Sequence, residues 1–228
     1  MTAPIVELES LRDRAPVFAD RAEAGRVLAG LLEGYRGSDA LVLAIPAGGV
    51  PVAAEVARAL GLPLDVAVVS KILLPWNTEA GYGAVAFDGT VCLNRTLVDQ
   101  LGLTAEEVAQ GVAETRAKVE RRLARLRAER PPPPLAGRPV ILVDDGLASG
   151  FTLMSAVEAL RRAAAAEIAV AVPTGHAQAV ERLASRVDRL YCANLRAGRR
   201  FAVADAYRRW HDVPEEEAWA LLLRQGTA

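Results

Sequence analysis

Short, continuously apolar runs alternate along this chain with stretches whose apolar residues recur every three to four positions, the pattern of a parallel sheet covered by helices. Asp20 with Glu23 reads as a capping box opening a helix that runs to about Tyr35. Ala40–Ile45 is continuously apolar and too short for a helix, so it reads as a buried strand. Pro46-Ala47-Gly48-Gly49-Val50 breaks that strand. Pro51 suits the first position of a helix that Gly61 stops, and Leu64–Val69 is the next strand. Ile72–Gly83, with Pro75, Asn77, Gly81 and Gly83, reads as irregular, and Ala84–Leu93 as a hairpin turning on Asp88-Gly89 in a two-residue primed turn. Thr104 with Glu107 opens a long helix to about Ala128, whose stripe Val108, Val112, Thr115, Val119, Leu123, Leu126 keeps the 3.6 spacing. After Pro131–Pro134 come a strand at Pro139–Val143, a helix to about Ala164, a strand at Ile168–Val172, a helix at His176–Ala184, a strand at Val187–Ala193 and a last helix after Pro214.

Composition narrows the picture. The 228 residues suffice for one α/β domain, and 52% apolar with 24% charged residues describes a globular chain. No run approaches the roughly 18 uninterrupted apolar residues of a membrane span, and Met1–Glu7 lacks the order of a secretion signal, so a cytoplasmic protein is expected. A net charge of −1 argues against a nucleic-acid partner, a local arginine patch at Arg196, Arg199, Arg200, Arg208 and Arg209 notwithstanding. Cys92 and Cys192, like His176 and His211, stand too far apart for a disulfide framework or a zinc spacing.

The chemistry concentrates in Asp144–Thr152. A buried strand delivers Asp144 and Asp145 at its C-terminal end, where ligands of open α/β sheets bind. Buried carboxylates need partners, and sugar hydroxyls or a metal-bound polyhydroxyl ligand would satisfy them. Gly146, Ala148, Ser149, Gly150 and Thr152 then lead into a helix, so free backbone N–H groups, two hydroxyls and the helix dipole favour an anion. Carboxylates for hydroxyls beside amides for a phosphate describe a phosphosugar. The nucleotide motifs Gly-x-x-x-x-Gly-Lys-Ser/Thr and Gly-x-Gly-x-x-Gly are absent. The bland alternative is an ordinary strand–turn–helix connection with two solvated aspartates.

Val140 to Thr152 resembles the phosphoribosyl pyrophosphate (PRPP) motif of type I phosphoribosyltransferases: an apolar strand, two acids, three variable residues, Thr-Gly-x-Thr, then a helix. Ser149 replaces the usual threonine. The resemblance implies that family's mostly parallel sheet flanked by helices, with a small hood from the terminal segments. It implies a single domain with its core over about 36–193 and its hood from 1–35 and 194–228. It also implies that Asp144 and Asp145 hold the ribose hydroxyls, and that Ala148, Ser149, Gly150, Phe151 and Thr152 wrap the 5-phosphate. Ala44–Val50 resembles the pyrophosphate loop, giving Ala47, Gly48 and Gly49 to the diphosphate, and Val68–Lys71 resembles the segment whose lysine, Lys71, reaches it. Glu79–Val85 resembles the stretch around the mobile catalytic loop, so Ile72–Gly83 is a candidate lid. The tail from Phe201 to Trp210 resembles the end of an uncharacterised bacterial subfamily.

The implied activity is transfer of a 5-phosphoribosyl group from PRPP to a nitrogenous base or amine, with release of pyrophosphate and with Mg²⁺ bound mainly through PRPP. Asp144, Asp145 and Lys71 are the implied catalytic residues. Thr174, His176, Tyr207 and Trp210 are candidate acceptor contacts. The long helix after Thr104 is a packing or subunit element, consistent with a homo-oligomer. Two departures matter: Ala47 stands where the subfamily usually has arginine, and Ser70 precedes Lys71 where Arg-Lys is usual. Loss of two cations beside a diphosphate removes charge-assisted bonds of about 1.5–3 kcal/mol each. That leaves open a non-catalytic PRPP- or nucleotide-sensing regulator on the same fold, and more distantly a phosphosugar hydrolase or nucleotide-binding scaffold.

Overall fold

The computed structural model describes residues 2–127 and 130–225; the expected helix end at Ala128 lies outside the described residues. The strands are β1 (Ile5–Val6), β2 (Leu41–Ala44), β3 (Leu64–Val66), β4 (Val69–Leu74), β5 (Asn77–Ala86), β6 (Val91–Leu93), β7 (Pro139–Val143), β8 (Glu167–His176) and β9 (Arg189–Arg196). The α-helices are α1 (Arg21–Leu31), α2 (Gly49–Leu60), α3 (Arg95–Gln100), α4 (Ala105–Arg127), α5 (Phe151–Arg162), α6 (Ala177–Ala184) and α7 (Glu215–Gln225). Six strands form one sheet in the order β1-β9-β8-β7-β2-β3, parallel throughout. This is the mostly parallel, helix-flanked architecture expected.

Both faces of the central strands are covered, which is why they read as unbroken apolar runs rather than alternating ones. Val42, Ala44, Ile141 and Val143 point into one core with Ala24, Leu28, Val52 and Val56 of α1 and α2. Their chain neighbours Leu41, Leu43, Val140 and Leu142 point to the other face, against Leu153, Val157 and Leu160 of α5 and Val180 and Leu183 of α6. The register Leu41↔Val140 and Val42↔Ile141 brings the ends of β2 and β7 level, so the loops that follow emerge side by side.

Several expected elements are corrected. The Leu64–Val69 strand stops at Val66, and the chain leaves the main sheet through Ala67 and Val68 to start β4. Ile72–Gly83 is not irregular: β4 and β5 pair antiparallel, with register shifts at Ile72/Leu73 and Leu73/Leu74 that bend the ribbon. The lid candidate is therefore a hairpin joined by β6 into a separate three-stranded sheet. The Asp88-Gly89 turn has three loop residues, because Ala86 pairs with Thr90, Gly89 N–H closes on Ala86 O at 2.9 Å, and only Gly89 is left-handed (φ +85°). Helix α2 starts at Gly49, two residues before Pro51, and β8 runs on to His176 instead of ending at Val172. Both caps form, but only the one at Thr104 closes as a full capping box; at Asp20 the glutamate reaches one residue further back. Glu23 N–H donates to Asp20 and Glu107 N–H to Thr104, while the glutamates accept from Ala19 and Thr104.

The terminal segments meet over the C-terminal end of the sheet. Phe18 bridges to Tyr207, and their rings lie 5.8 Å apart. Strand β1 adds to the sheet edge beside β9, an element too short to be read from the sequence.

Candidate functional site

Two loops converge where β2 and β7 end. Ile45 N–H donates to Val143 O at 2.8 Å, tying the strand ends together, and the 46–48 loop then crosses directly over Asp144 and Asp145. A Cβ at Gly48 would lie 2.2 Å from Asp145 Oδ2; one at Gly49 would lie 2.8 Å from Val143 O and 2.9 Å from Asp144 Cα. Glycine is required at position 49, where the neighbours are backbone, and at position 48 a Cβ would displace the Asp145 carboxylate. Gly49 N–H is spent on Ile45 O at 3.0 Å, so Gly49 contributes space and not a donor. Among the described residues the N–H groups of Ala47 and Gly48 have no acceptor.

The loop after Asp145 is held by one inward side chain. Leu147 is buried; its N–H donates to Thr174 O at 2.9 Å, and His176 N–H donates to Leu147 O at 2.9 Å. This accompanies the extra length of β8, whose last residues pair with β9 on one side and bridge to the loop on the other. Ala148 and Ser149 are thereby exposed, and Gly150 (φ +77°) makes the left-handed turn into α5. Among the described residues the N–H groups of Ala148, Ser149, Gly150 and Thr152 have no protein acceptor, and that of Phe151 reaches Ser149 Oγ only at 3.5 Å. These donors border a cleft of about 140 Å³ lined also by Lys71, Asp144, Gly146 and Val203. Of the residues expected here, only Phe151 turns away, packing against the core under α5. The fold thus brings Lys71, from the separate sheet, onto the loop after β7. An unpartnered donor ring at a helix N-terminus with a lysine opposite can hold an anion with several oxygens.

The acids sit in a different electrostatic setting. Burial and the neighbouring charge of Asp145 push the Asp144 carboxyl well above its ordinary value. Burial also raises Asp145, but Arg21 pulls the other way: Nε and Nη2 both reach Asp145 Oδ2, at 3.0 and 2.9 Å. Arg21 is only 6% exposed. Its third bond goes to His211 O at 2.9 Å, and its guanidinium carbon lies 3.8 Å from the centre of the Trp210 ring. Tyr207 donates its hydroxyl to Asp145 O at 2.5 Å. The aromatic tail therefore clamps Arg21 against Asp145.

Arg21 is not legible in the sequence. It looks like the first residue of a surface helix, and its partner is 124 positions away. Val203, packed on Gly146, is hidden for the same reason; a Cβ at Gly146 would lie 2.4 Å from it. Of the candidate acceptor contacts, Thr174 is fully buried and donates to Asn194 Oδ1 at 2.8 Å, so it faces no ligand. His176 stacks edge-on against Phe201 at 5.7 Å, Tyr207 is buried on Asp145, and Trp210 stays partly exposed above Arg21. Ala47 supplies no cation beside Gly48, yet Arg122 of α4 brings Nη2 within 3.5 Å of Pro46 O. Ser70 is buried with an Oγ that has no partner.

With this geometry the similarities to known proteins agree. Residues 90–197, which include the 144–152 loop, match the phosphoribosyl transferase domain. Two Mycobacterium tuberculosis proteins, "Putative phosphoribosyl transferase Rv0571c" and its counterpart MT0597 in another strain, are 38% identical over 208 residues, 91% of this chain. The chain spans about half the length of these curated relatives, 47%. The crystal structure of TT1426 from Thermus thermophilus is 34% identical and superposes with a TM-score of 0.75 over 92% of this chain and 99% of that one. The fold and loop define a phosphoribosyltransferase-type protein. The chain belongs to the phosphoribosyl transferase family.

Proposed function

We propose that this protein is a phosphoribosyltransferase that binds PRPP in the cleft between Lys71 and the 146–152 loop and transfers its 5-phosphoribosyl group to a nitrogenous base or amine. The observation that carries this reading is the ring of unpartnered N–H donors at Ala148, Ser149, Gly150 and Thr152, beside Asp144 and below Lys71. The 5-phosphate occupies that ring. Asp144 and Asp145 accept the ribose hydroxyls, and the free amides of Ala47 and Gly48 face the diphosphate.

The C1–oxygen bond to the diphosphate breaks, its electron pair leaving on the diphosphate. The acceptor nitrogen forms the new bond at C1 and gives up a proton to the departing diphosphate or to water. Lys71 and the two amides hold the departing charge. Arg21 is a positioning residue: it aims Asp145 through two bonds to one carboxylate oxygen and opposes the upward push of burial on that acid. No protein nucleophile is needed.

Mg²⁺ fits this site only in company with substrate. Two adjacent carboxylates are present, but among the described residues no group of three or more metal-ligating side chains exists. Asp144 and Asp145 would contact the ion or its waters, and the diphosphate and sugar oxygens would supply the rest; the ion would neutralise leaving-group charge.

A PRPP- or nucleotide-sensing protein without turnover is the second reading, favoured by Ala47 and the buried Ser70, neither of which supplies a cation to the diphosphate. Titration with PRPP and with ribose 5-phosphate, with and without Mg²⁺, followed by pyrophosphate-release assays over a panel of bases and amines, tests both. Binding with turnover is the expected result. Binding without turnover on any acceptor gives the sensor, and failure to bind either ligand ends both readings.

A further inference from the structure

We propose that the cleft between α4 and α7 is a second anion site, which takes a linear oligophosphate, free or as the phosphate chain of a nucleotide. It borders the 46–48 loop, since Arg122 Nη2 lies 3.5 Å from Pro46 O, but shares no lining residue with the cleft beside Lys71, and it does not rest on the transferase reading. Lys118, Arg121, Arg122 and Arg125 line a cavity of about 600 Å³, with Glu215 the only acid among the described residues of its wall. The four cations follow i, i+3, i+4, i+7 spacing, so they form one stripe along α4, next to the apolar stripe that packs inward.

Their charges are not balanced by the protein. Arg122 bonds Glu215, and Arg125 reaches Glu215 at 3.7 Å and Glu216 at 2.5 Å. Lys118 and Arg121 have no acid partner among the described residues. Glu215 and Glu216 answer only two of the four cations in the cleft, and Glu114, one turn before Lys118, makes no ion pair with it, so like charges at this spacing are left to repel one another. Surplus like charge aligned on a concave surface is what an anion relieves.

The shape selects the ligand. Lys118 to Arg125 spans seven residues, about 10 Å of helix rise. A single phosphate reaches two of these side chains, whereas three linked phosphates can meet all four. The volume lies in the range of roughly 300–1,000 Å³ typical of small-ligand pockets. Lys118 is exposed, so the site is open in the unliganded protein.

The test is calorimetric titration of the full chain with inorganic tripolyphosphate and with a nucleoside triphosphate, alongside ribose 5-phosphate as the control for the first cleft. Tripolyphosphate should bind with an affinity that falls as salt rises, and Lys118→Ala with Arg121→Ala should weaken it at least about tenfold while ribose 5-phosphate binding is unchanged. Lys118→Arg with Arg121→Lys should retain it. Tighter binding of the nucleoside triphosphate through the same residues identifies a nucleotide as the source; equal binding identifies the phosphate chain alone. Tripolyphosphate binding indifferent to the double alanine variant, or displaced by ribose 5-phosphate, overturns the proposal. So does a short single-stranded RNA that outcompetes tripolyphosphate at these residues.

Discussion

Arg21 and Asp145 form a buried ion pair whose two halves come from helix α1 and the end of β7, 124 positions apart. Such a pair contributes little net stability when intact, yet removal of one half strands a buried charge. Arg21→Ala should therefore lower unfolding free energy by about 3–5 kcal/mol, measured by urea titration, and Arg21→Lys should restore only part of it because a compact ammonium lacks the planar fork that reaches Asp145 and His211 O together. A loss below about 1 kcal/mol, the usual worth of an exposed pair, would mean that Asp145 is solvated in solution. The phosphate assignment is tested by Thr152→Ala, expected to weaken ribose 5-phosphate by about tenfold for one lost hydrogen bond. Lys71→Ala should weaken PRPP by about 10- to 100-fold, and ribose 5-phosphate less, since a cation facing the diphosphate loses a charge-assisted bond. Equal effects on both ligands would move Lys71 to the 5-phosphate end.

At the scale of elements, the 46–48 loop and the 144–150 loop act as one unit because β2 and β7 end in register. The contact has no slack: a Cβ at position 49 meets backbone atoms at 2.8 and 2.9 Å, and backbone cannot swing aside as a side-chain tip can. Gly49→Ala should cost about 1–3 kcal/mol of stability and displace Asp144, so weaker PRPP binding should accompany a lower melting temperature. Normal binding at a normal melting temperature would show that the loops separate in solution. The β4–β5 hairpin is the other decisive element. Its glycines read as loop punctuation in the sequence, but Gly81 and Gly83 lie against Ile72 O and Cys92 O, where a Cβ would approach to 2.9 and 2.8 Å. They are strand glycines selected by close packing, which sequence spacing does not distinguish from turns.

For the whole molecule, unliganded stability should depend on the acids the site buries. Asp144 has a folded-state pKa raised above its unfolded value, so its contribution is fully present below the unfolded pKa and is lost as pH rises through the folded one. Asp20 shifts the other way, lowered by its cap bond from Glu23 N–H and by Arg209, and contributes stability above its unfolded pKa that is lost on acidification. The two trends overlap in a raw profile, so the comparison is between wild type and Asp144→Asn. The variant should be more stable at neutral pH by about 1 kcal/mol, roughly 2–4 °C in Tm for a chain this size, with the gap closing toward acid pH. A gap that is constant with pH would mean that the Asp144 carboxyl does not titrate differently on folding. The sequence by itself determined the parallel sheet, both helix N-caps and the Asp144–Thr152 loop, because each is written in neighbouring residues: apolar runs, a cap with its glutamate three positions on, small residues before a helix. Only the tertiary structure decided that Ile72–Gly83 is a hairpin, that Lys71 faces the loop, that Gly49 gives space in place of a donor, and that Arg21 holds Asp145. Those contacts join residues far apart in the chain, and their energies come from burial and close approach that exist only once the sheet and its covering segments have assembled.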